Sequence, residues 1–207
     1  NIPQKLRQYV HLPIRKVTIQ QQFNRNFEGI KELVDFASHY GIDVEVIVNE
    51  TCLSNCKIRR QHYLSASQLE TYSKECTEQS GCNIQKLLHP YLLLDSVWIR
   101  PEDLHVYEAL GVNRFKLACR TKSPDFLERA AHSYHERKHN VNLIEILGIT
   151  PPGLDIDPAQ LFYLNNQSLN NFLDGYKEAS NPNSFCRRKI VELWENYNFK
   201  IDLEFRI

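Results

Sequence analysis

The sequence predicts an α/β fold of parallel strands alternating with helices, arranged as TIM-barrel-like βα units in an incomplete barrel. A β-branched run at 44–48 is typical of a strand in a covered sheet. Apolar residues at helical spacing precede it, from Phe27 to Ala37. Later strand candidates are followed by helices that open on proline. Alternation of this kind favours parallel βα units with right-handed crossovers.

The barrel is expected to be incomplete at its N-terminal side. Roughly four or five βα units can be counted, whereas a complete eight-stranded barrel needs about 250 residues. A doubly wound open sheet would suit 207 residues better, but the chain contains no methionine, even at position 1. We interpret this as the sign of a fragment or trimmed domain, which favours a truncated barrel. GxGxxG and P-loop patterns are absent, so a nucleotide fold is not indicated.

Two regions are expected along the chain. Residues 1–150 are predicted to form the partial barrel domain, with a cysteine-rich insertion at 52–82. The Pro-Pro-Gly segment at 151–153 breaks the pattern, and residues 151–207 are predicted as a helical extension packing on the barrel. Strands are predicted at 17–19, 44–48, 96–99 and 114–118, and helices at 27–37, 101–111, 124–138, 168–179 and 187–198, with a loop at 180–184.

The charge balance limits the partners. Lysine plus arginine equals aspartate plus glutamate, 25 against 25, so a bulk field that attracts nucleic acid or an anionic membrane is not supported. A local basic patch at 57–60 leaves nucleic acid open as a partner. The sequence shows neither a membrane span nor a signal peptide pattern, and we expect a cytoplasmic protein with reduced thiols.

Four of the six cysteines form the pattern Cys52-x3-Cys56-x19-Cys76-x5-Cys82. Soft thiolates gathered where a strand ends can hold a metal ion or an iron–sulfur cluster. Zinc sites usually contain tight Cys-x2-Cys pairs, so the irregular gaps suit a [4Fe–4S] cluster better, with zinc as the alternative. The competing interpretation is a set of ordinary thiols that bind nothing, since free cysteine is among the most buried residue types.

Other side chains near the cysteines are candidates for chemistry. Arg59 could hold a carboxylate substrate bidentately, and Arg120 directly follows a strand, where βα folds place site residues. A solvated face and a structural salt bridge are the alternatives for these two arginines. Glu50 and His105 are weaker candidates. Glu50 is predicted to end a strand immediately before Cys52 and could act as an acid or base or simply cap a loop, whereas His105 is expected inside a helix. Cys186 is expected at a helix start, where the dipole stabilises a thiolate, and could be a ligand from a distance.

Three sequence blocks, at 52–63, 98–104 and 111–123, resemble in order the U-thirty-two family, known as collagenase-like peptidases. The resemblance extends over residues 14–176. It implies a TIM-barrel-like domain that carries a [4Fe–4S] cluster. Several members of the family are oxygen-independent hydroxylases of RNA bases or quinone precursors, with prephenate as the proposed oxygen donor. Arg120 matches the arginine that follows the Lys-Ile-x-Gly segment of the family, although Ala118-Cys119 replaces the usual Glu-Gly.

The resemblance also implies cluster ligands. Cys52 and Cys56 match the first ligand pair of the family, and either Cys82 or Cys76 matches a third ligand. Some relatives place a ligand cysteine where this chain has His105. The fourth ligand is therefore open among Cys76, His105 and Cys186.

Three functions follow from these observations. The first is an iron–sulfur-dependent redox-modifying enzyme, an oxygen-independent hydroxylase that uses a small carboxylate as oxygen donor and works beside a partner subunit. The second is a peptidase, as the family label suggests, although the sequence shows no HExxH or Ser/His/Asp order. The third is a non-catalytic accessory protein, which binds zinc through its cysteines or binds no metal.

Overall fold

The computed structural model describes residues 2–54, 56, 59, 82, 85–118, 122–149 and 157–202. Of the predicted site residues, Cys76 and Arg120 lie outside these ranges. The chain divides into two compact units. The first unit comprises Asn1–Ser54 and Val97–His139, and the second comprises Asn55–Ser96 and Asn140–Ile207.

Helices outnumber strands in the described part of the chain. The helices are α1 (Ile2–Arg7), α2 (Phe27–Ser38), α3 (Tyr91–Leu94), α4 (Leu104–Glu108), α5 (Pro124–Glu136), α6 (Pro158–Leu161), α7 (Phe172–Glu178) and α8 (Pro182–Glu195). The strands are β1 (Lys16–Thr18), β2 (Asp43–Ile47), β3 (Arg114–Lys116), β4 (Phe162–Leu164) and β5 (Phe199–Ile201). Short 3-10 helices lie at Gln21–Phe23, Pro101–Asp103, Leu143–Ile146 and Asn166–Leu169.

The first unit is built on a parallel sheet in the order β1-β2-β3, so the mixed α/β class is confirmed. The sequence predicted all three strands, each at nearly the observed position. Val44 and Val46 of the central strand are buried, as the β-branched run requires. The register places Val44 opposite Val17 and Val46 opposite Phe115.

Two helices of the first unit, α2 and α5, begin at side-chain caps, and the cap of α5 was predicted. The Ser123 hydroxyl accepts a 3.3 Å hydrogen bond from the Phe126 amide, and Pro124 occupies the first turn of α5. The Asn26 side chain caps α2 by accepting from the Gly29 amide at 3.0 Å. These caps fix where each helix leaves the sheet and so confirm the βα alternation of this unit.

A buried carboxylate ties the central strand to β1. Glu45, 7% exposed, accepts hydrogen bonds from Lys16 Nζ at 2.8 Å and Thr18 Oγ1 at 2.7 Å. Burial by itself would raise the pKa of Glu45, but the bonds from Lys16 and Thr18 outweigh it and lower that pKa below its usual value. The carboxylate therefore stays charged where the two strands meet.

The predicted strand at 96–99 is wrong, since only Ser96 makes a β-bridge there. Residues 97–100 do not join the sheet but are hydrogen-bonded to the chain that continues from β2. The Ile99 amide donates to the Val48 carbonyl at 2.8 Å, and the Val97 amide donates to the Cys52 carbonyl at 3.1 Å. An apolar extended segment of this kind has the composition of a strand without forming a regular ladder.

The predicted loop at 180–184 and the predicted helix at 187–198 are also wrong in their bounds. Helix α8 already begins at Pro182, because the Asn181 side chain caps it by accepting from the Ser184 amide at 3.0 Å. Cys186 is therefore inside the helix and buried, not at its start. The helix predicted at 168–179 is interrupted, since α7 begins only at Phe172.

The second unit contains an antiparallel strand pair that the sequence did not predict. Strands β4 and β5 pair along their whole length. On the other side of β4, the Asn142 side chain takes the place of a strand: its Nδ2 donates to the Phe162 carbonyl at 2.8 Å, and its Oδ1 accepts from the Leu164 amide at 2.9 Å. Residues 140–149 and 157–202 thus share one unit, and the predicted domain boundary at 150 stays a prediction.

A buried amide holds together the chain segments that leave the sheet of the first unit. Asn24 is fully buried, and its Nδ2 donates to the Ile47 carbonyl at 2.7 Å and the Val97 carbonyl at 2.8 Å. The carbonyl of Asn24 in turn accepts from the Tyr107 hydroxyl at 2.9 Å.

No helix in the described part of the chain is long and apolar enough to cross a bilayer.

Replacing Tyr134 by phenylalanine should test whether buried hydroxyls stabilise this region. The Tyr134 hydroxyl donates to the Ile99 carbonyl at 2.7 Å. We expect Tyr134→Phe to lower the free energy of unfolding by about 1–2 kcal/mol, measured by urea denaturation, because a buried carbonyl loses a donor. The control is Tyr197→Phe, since Tyr197 is 78% exposed. Equal stability of the two variants would contradict this account.

Candidate functional site

The carboxyl ends of the three parallel strands lie at one edge of the sheet, where βα folds place their sites. The chain leaves β1 into the 3-10 helix Gln21–Phe23. It leaves β2 into residues 48–52, which carry two of the predicted site residues, Glu50 and Cys52. Glu50 lies three residues beyond the end of β2 at Ile47, so it belongs to the loop and not to the strand end that we predicted.

Gln21, Glu50 and Cys52 meet at this edge, and we call them the edge cluster. The thiol of Cys52 donates to Glu50 Oε2 at 3.4 Å. The Gln21 side chain donates from Nε2 to Glu50 Oε2 at 3.2 Å and to Cys52 Sγ at 3.6 Å. Gln21 is buried, whereas Glu50 and Cys52 are half-buried. One amide thus positions both a carboxylate and a thiol.

The edge cluster contains two kinds of group that can ligate a metal ion. Thiolate sulfur and carboxylate oxygen both coordinate zinc in proteins. A thiol that coordinates a cation loses its proton outright. The same two groups can also act as a nucleophile and its base, so the geometry of Glu50 and Cys52 is compatible with both kinds of chemistry.

A second buried amide holds the loop of the edge cluster against the end of β3. Asn49 is fully buried, and its Oδ1 accepts from the Ala118 amide at 2.7 Å. The Val48 amide donates to the Lys116 carbonyl at 3.0 Å, which extends the pairing of β2 with β3. The chain beyond β3 therefore leaves next to the edge cluster at residue 118. Arg120, two residues later, lies outside the described residues.

The remaining predicted ligands are distributed between the two units. Cys52 belongs to the first unit, whereas Cys56 and Cys82 belong to the second, and all three are half-buried thiols. Within the described ranges, no group of three or more His, Cys, Asp or Glu side chains is placed to hold a metal ion. The ligand set that includes Cys76 stays a prediction.

The three other predicted site residues in the described ranges differ in how far they are exposed. Arg59 is 8% exposed. His105 is exposed, and its Nδ1 lies 2.7 Å from the Glu102 carbonyl oxygen. Cys186 is completely buried on α8. The roles assigned to these residues stay predictions.

Gln21 and Asn49 were not predicted as site residues, although the sequence contains a signal for both. Each is a polar residue within the first few positions after a strand, the same placement that drew attention to Arg120. Gln21 was overlooked because amides carry no charge and match no metal-ligand pattern. Asn49 was overlooked because its partner, the Ala118 amide, is distant in sequence.

The fold and the edge cluster define a mixed α/β protein in which a thiol and a carboxylate meet at the carboxyl edge of a parallel sheet.

A curated relative, an uncharacterized protease of Methanocaldococcus jannaschii, is 27% identical over 173 residues, which is 82% of this chain and 49% of the relative. The chain therefore spans about half the length of the curated relative that it matches. No model of a known protein family matches the chain. No solved structure matches it.

Removing the charge of Glu50 should activate the thiol of Cys52. We expect Glu50→Gln to raise the rate of Cys52 alkylation by iodoacetamide in metal-free protein about threefold to tenfold at neutral pH, because the neighbouring negative charge is lost. Mass spectrometry of the peptide that contains Cys52 measures this rate, and the buried Cys186 provides an internal reference. Glu28→Gln, at the exposed start of α2, is the matched control. An unchanged or slower rate in Glu50→Gln would show that the carboxylate does not control the thiol.

Proposed function

We propose that this chain is part of an iron–sulfur-dependent redox-modifying enzyme of the U-thirty-two type, an oxygen-independent hydroxylase. The observation that carries the proposal is the edge cluster, in which a buried amide presents a thiol and a carboxylate at the carboxyl edge of a parallel sheet. The resemblance of the cysteine-containing block at 52–63 supports the same assignment. The parallel order β1-β2-β3 further supports a TIM-barrel-like arrangement in the whole protein.

The proposed ligands of a [4Fe–4S] cluster are Cys52, Cys56 and a third thiol from Cys82 or Cys76. The described members of this set fit the group chemically, because Cys52, Cys56 and Cys82 are half-buried thiols that form no disulfide with one another. Zinc is the alternative metal for the same thiols. Cys186 fits poorly, since its sulfur is enclosed in the core of the second unit.

Each residue near the site has a proposed task. When bound, the cluster would supply one-electron redox chemistry. Gln21 holds the Cys52 sulfur and the Glu50 carboxylate in fixed positions through the N–H groups of its amide. Glu50 accepts a hydrogen bond at Oε2 from the Cys52 thiol in the metal-free protein. Arg59 and Arg120 are proposed to bind a small carboxylate that donates oxygen.

A peptidase is the second candidate, and the printed name of the Methanocaldococcus jannaschii relative favours it. In that case Cys52 would attack the peptide carbonyl and Glu50 would take the thiol proton. The two candidates exclude each other at Cys52, because a sulfur that binds iron is not a free nucleophile. Loss of peptide cleavage on alkylation of Cys52 in metal-free protein would support the peptidase.

Anaerobic reconstitution tests the proposed function. We expect the chain to bind iron and labile sulfide with visible absorbance, and Cys52→Ala to lose most of the bound iron, because a ligand is removed. Cys186→Ala is the matched control and should keep its iron, since Cys186 is enclosed on α8. Circular dichroism establishes that both variants are folded. Stoichiometric zinc in place of iron, or full iron content in Cys52→Ala, would contradict the proposal.

A further inference from the structure

Helix α8 carries apolar side chains on the face that it turns away from the core of the second unit. Its buried residues are Cys186, Ile190 and Leu193. Val191 and Trp194, in contrast, are exposed by 54% and 51%. An apolar groove of about 1000 Å³ lies along both of these side chains. Large apolar side chains gathered on a surface mark interaction sites more often than scattered ones do.

The exposed face of α8 also carries two opposite charges in a symmetric arrangement. Arg188, Val191 and Glu195 follow one another at spacings of three and four residues, so they form one stripe along the helix, and all three are exposed. In the described part of the chain, neither charged residue of the stripe forms an ion pair, whereas Lys189 and Glu192 of the same helix pair with each other at 2.7 Å. The stripe thus has a positive end and a negative end, with an apolar residue between them.

We propose that a second copy of this chain binds at this face, with helix α8 packing antiparallel against α8 of the other copy. A two-fold axis perpendicular to the helix passes midway between Arg188 and Glu195, beside Val191. Because this axis reverses the helix direction, each Arg188 lies opposite the Glu195 of the other copy. One sequence thus supplies two interhelical pairs of opposite charge, as a surface that binds a copy of itself requires.

The charges also select one register of the two helices. An axis at Arg188 would place two guanidinium groups opposite each other, and an axis at Glu195 would place two carboxylates opposite each other. Like charges that face each other across an interface are destabilising, and the axis midway between the two residues removes both repulsions. The antiparallel direction also places the positive end of each helix dipole near the negative end of the other.

Apolar contacts supply the centre of the proposed interface. The Val191 side chains of both copies meet beside the axis, between the two charge pairs. Trp194 lies three residues later on the groove side, and its indole packs on Phe199 with ring centroids 5.6 Å apart. The two-fold symmetry keeps both indoles on one side of the helix pair, and tryptophan commonly serves as an interface anchor. The proposal does not depend on the cluster or on the reaction.

Sedimentation velocity on the full chain tests the proposal. We expect wild type to form a dimer with a dissociation constant in the micromolar range, since one helix pair makes a small interface. Arg188→Glu or Glu195→Arg should raise this constant about tenfold, because each change creates two like-charge contacts. The double variant Arg188→Glu with Glu195→Arg should restore it to within about threefold of wild type, since the opposite charges then face each other in exchanged positions.

Two further variants distinguish this interface from general stickiness. Glu178→Arg reverses an exposed charge at the end of α7 and should leave the dimer unchanged. Val191→Lys places two lysines beside the axis and should dissociate the dimer. A wild-type chain that stays monomeric up to about 100 μM overturns the proposal. So does a dimer that is indifferent to Arg188→Glu, or a double variant that stays as weak as either single variant while circular dichroism shows all of them folded.

Discussion

The rest of the first unit depends on the course of the chain just beyond β2, which buried amides fix. Asn24 joins the end of β2 to the extended segment at 97–100 by donating to one carbonyl of each. Asn49 joins the same loop to the end of β3. Buried backbone N–H and C=O groups without hydrogen-bond partners are costly, so these two side chains leave the loop one favourable path. That path brings Glu50 and Cys52 to the carboxyl edge of the sheet.

A fixed loop explains how uncharged residues can control a chemical site. Gln21 enters the edge cluster from the other neighbouring strand, β1, and holds the thiol and the carboxylate with one side chain. The polar contacts make Cys52 responsive to charge, because the sulfur lies between a donor and an acceptor of hydrogen bonds. A cation bound at this position would take both groups as ligands, and the thiol would then lose its proton.

Local signals predicted the elements of this protein better than its distant contacts. The β-branched run of β2 and the cap of α5 at Ser123 are encoded within a few residues, and both were predicted. The contact between Asn24 and the Val97 carbonyl spans 73 residues and leaves no local pattern. Strands β4 and β5 were not predicted, and the partners that hold β4 on its two sides, β5 and the Asn142 side chain, are likewise distant in sequence. The segment at 97–100 has the apolar composition of a strand, so the sequence alone does not show that it forms no regular ladder.

Cys52 at the carboxyl edge is the proposed iron ligand, and anomalous diffraction at the iron absorption edge tests this assignment most directly. Crystals of anaerobically reconstituted protein would be measured for this purpose. We expect an iron peak at bonding distance from the Cys52 sulfur, with the thiol no longer donating to Glu50. An iron peak away from Cys52, with its thiol still hydrogen-bonded to Glu50, would contradict the assignment.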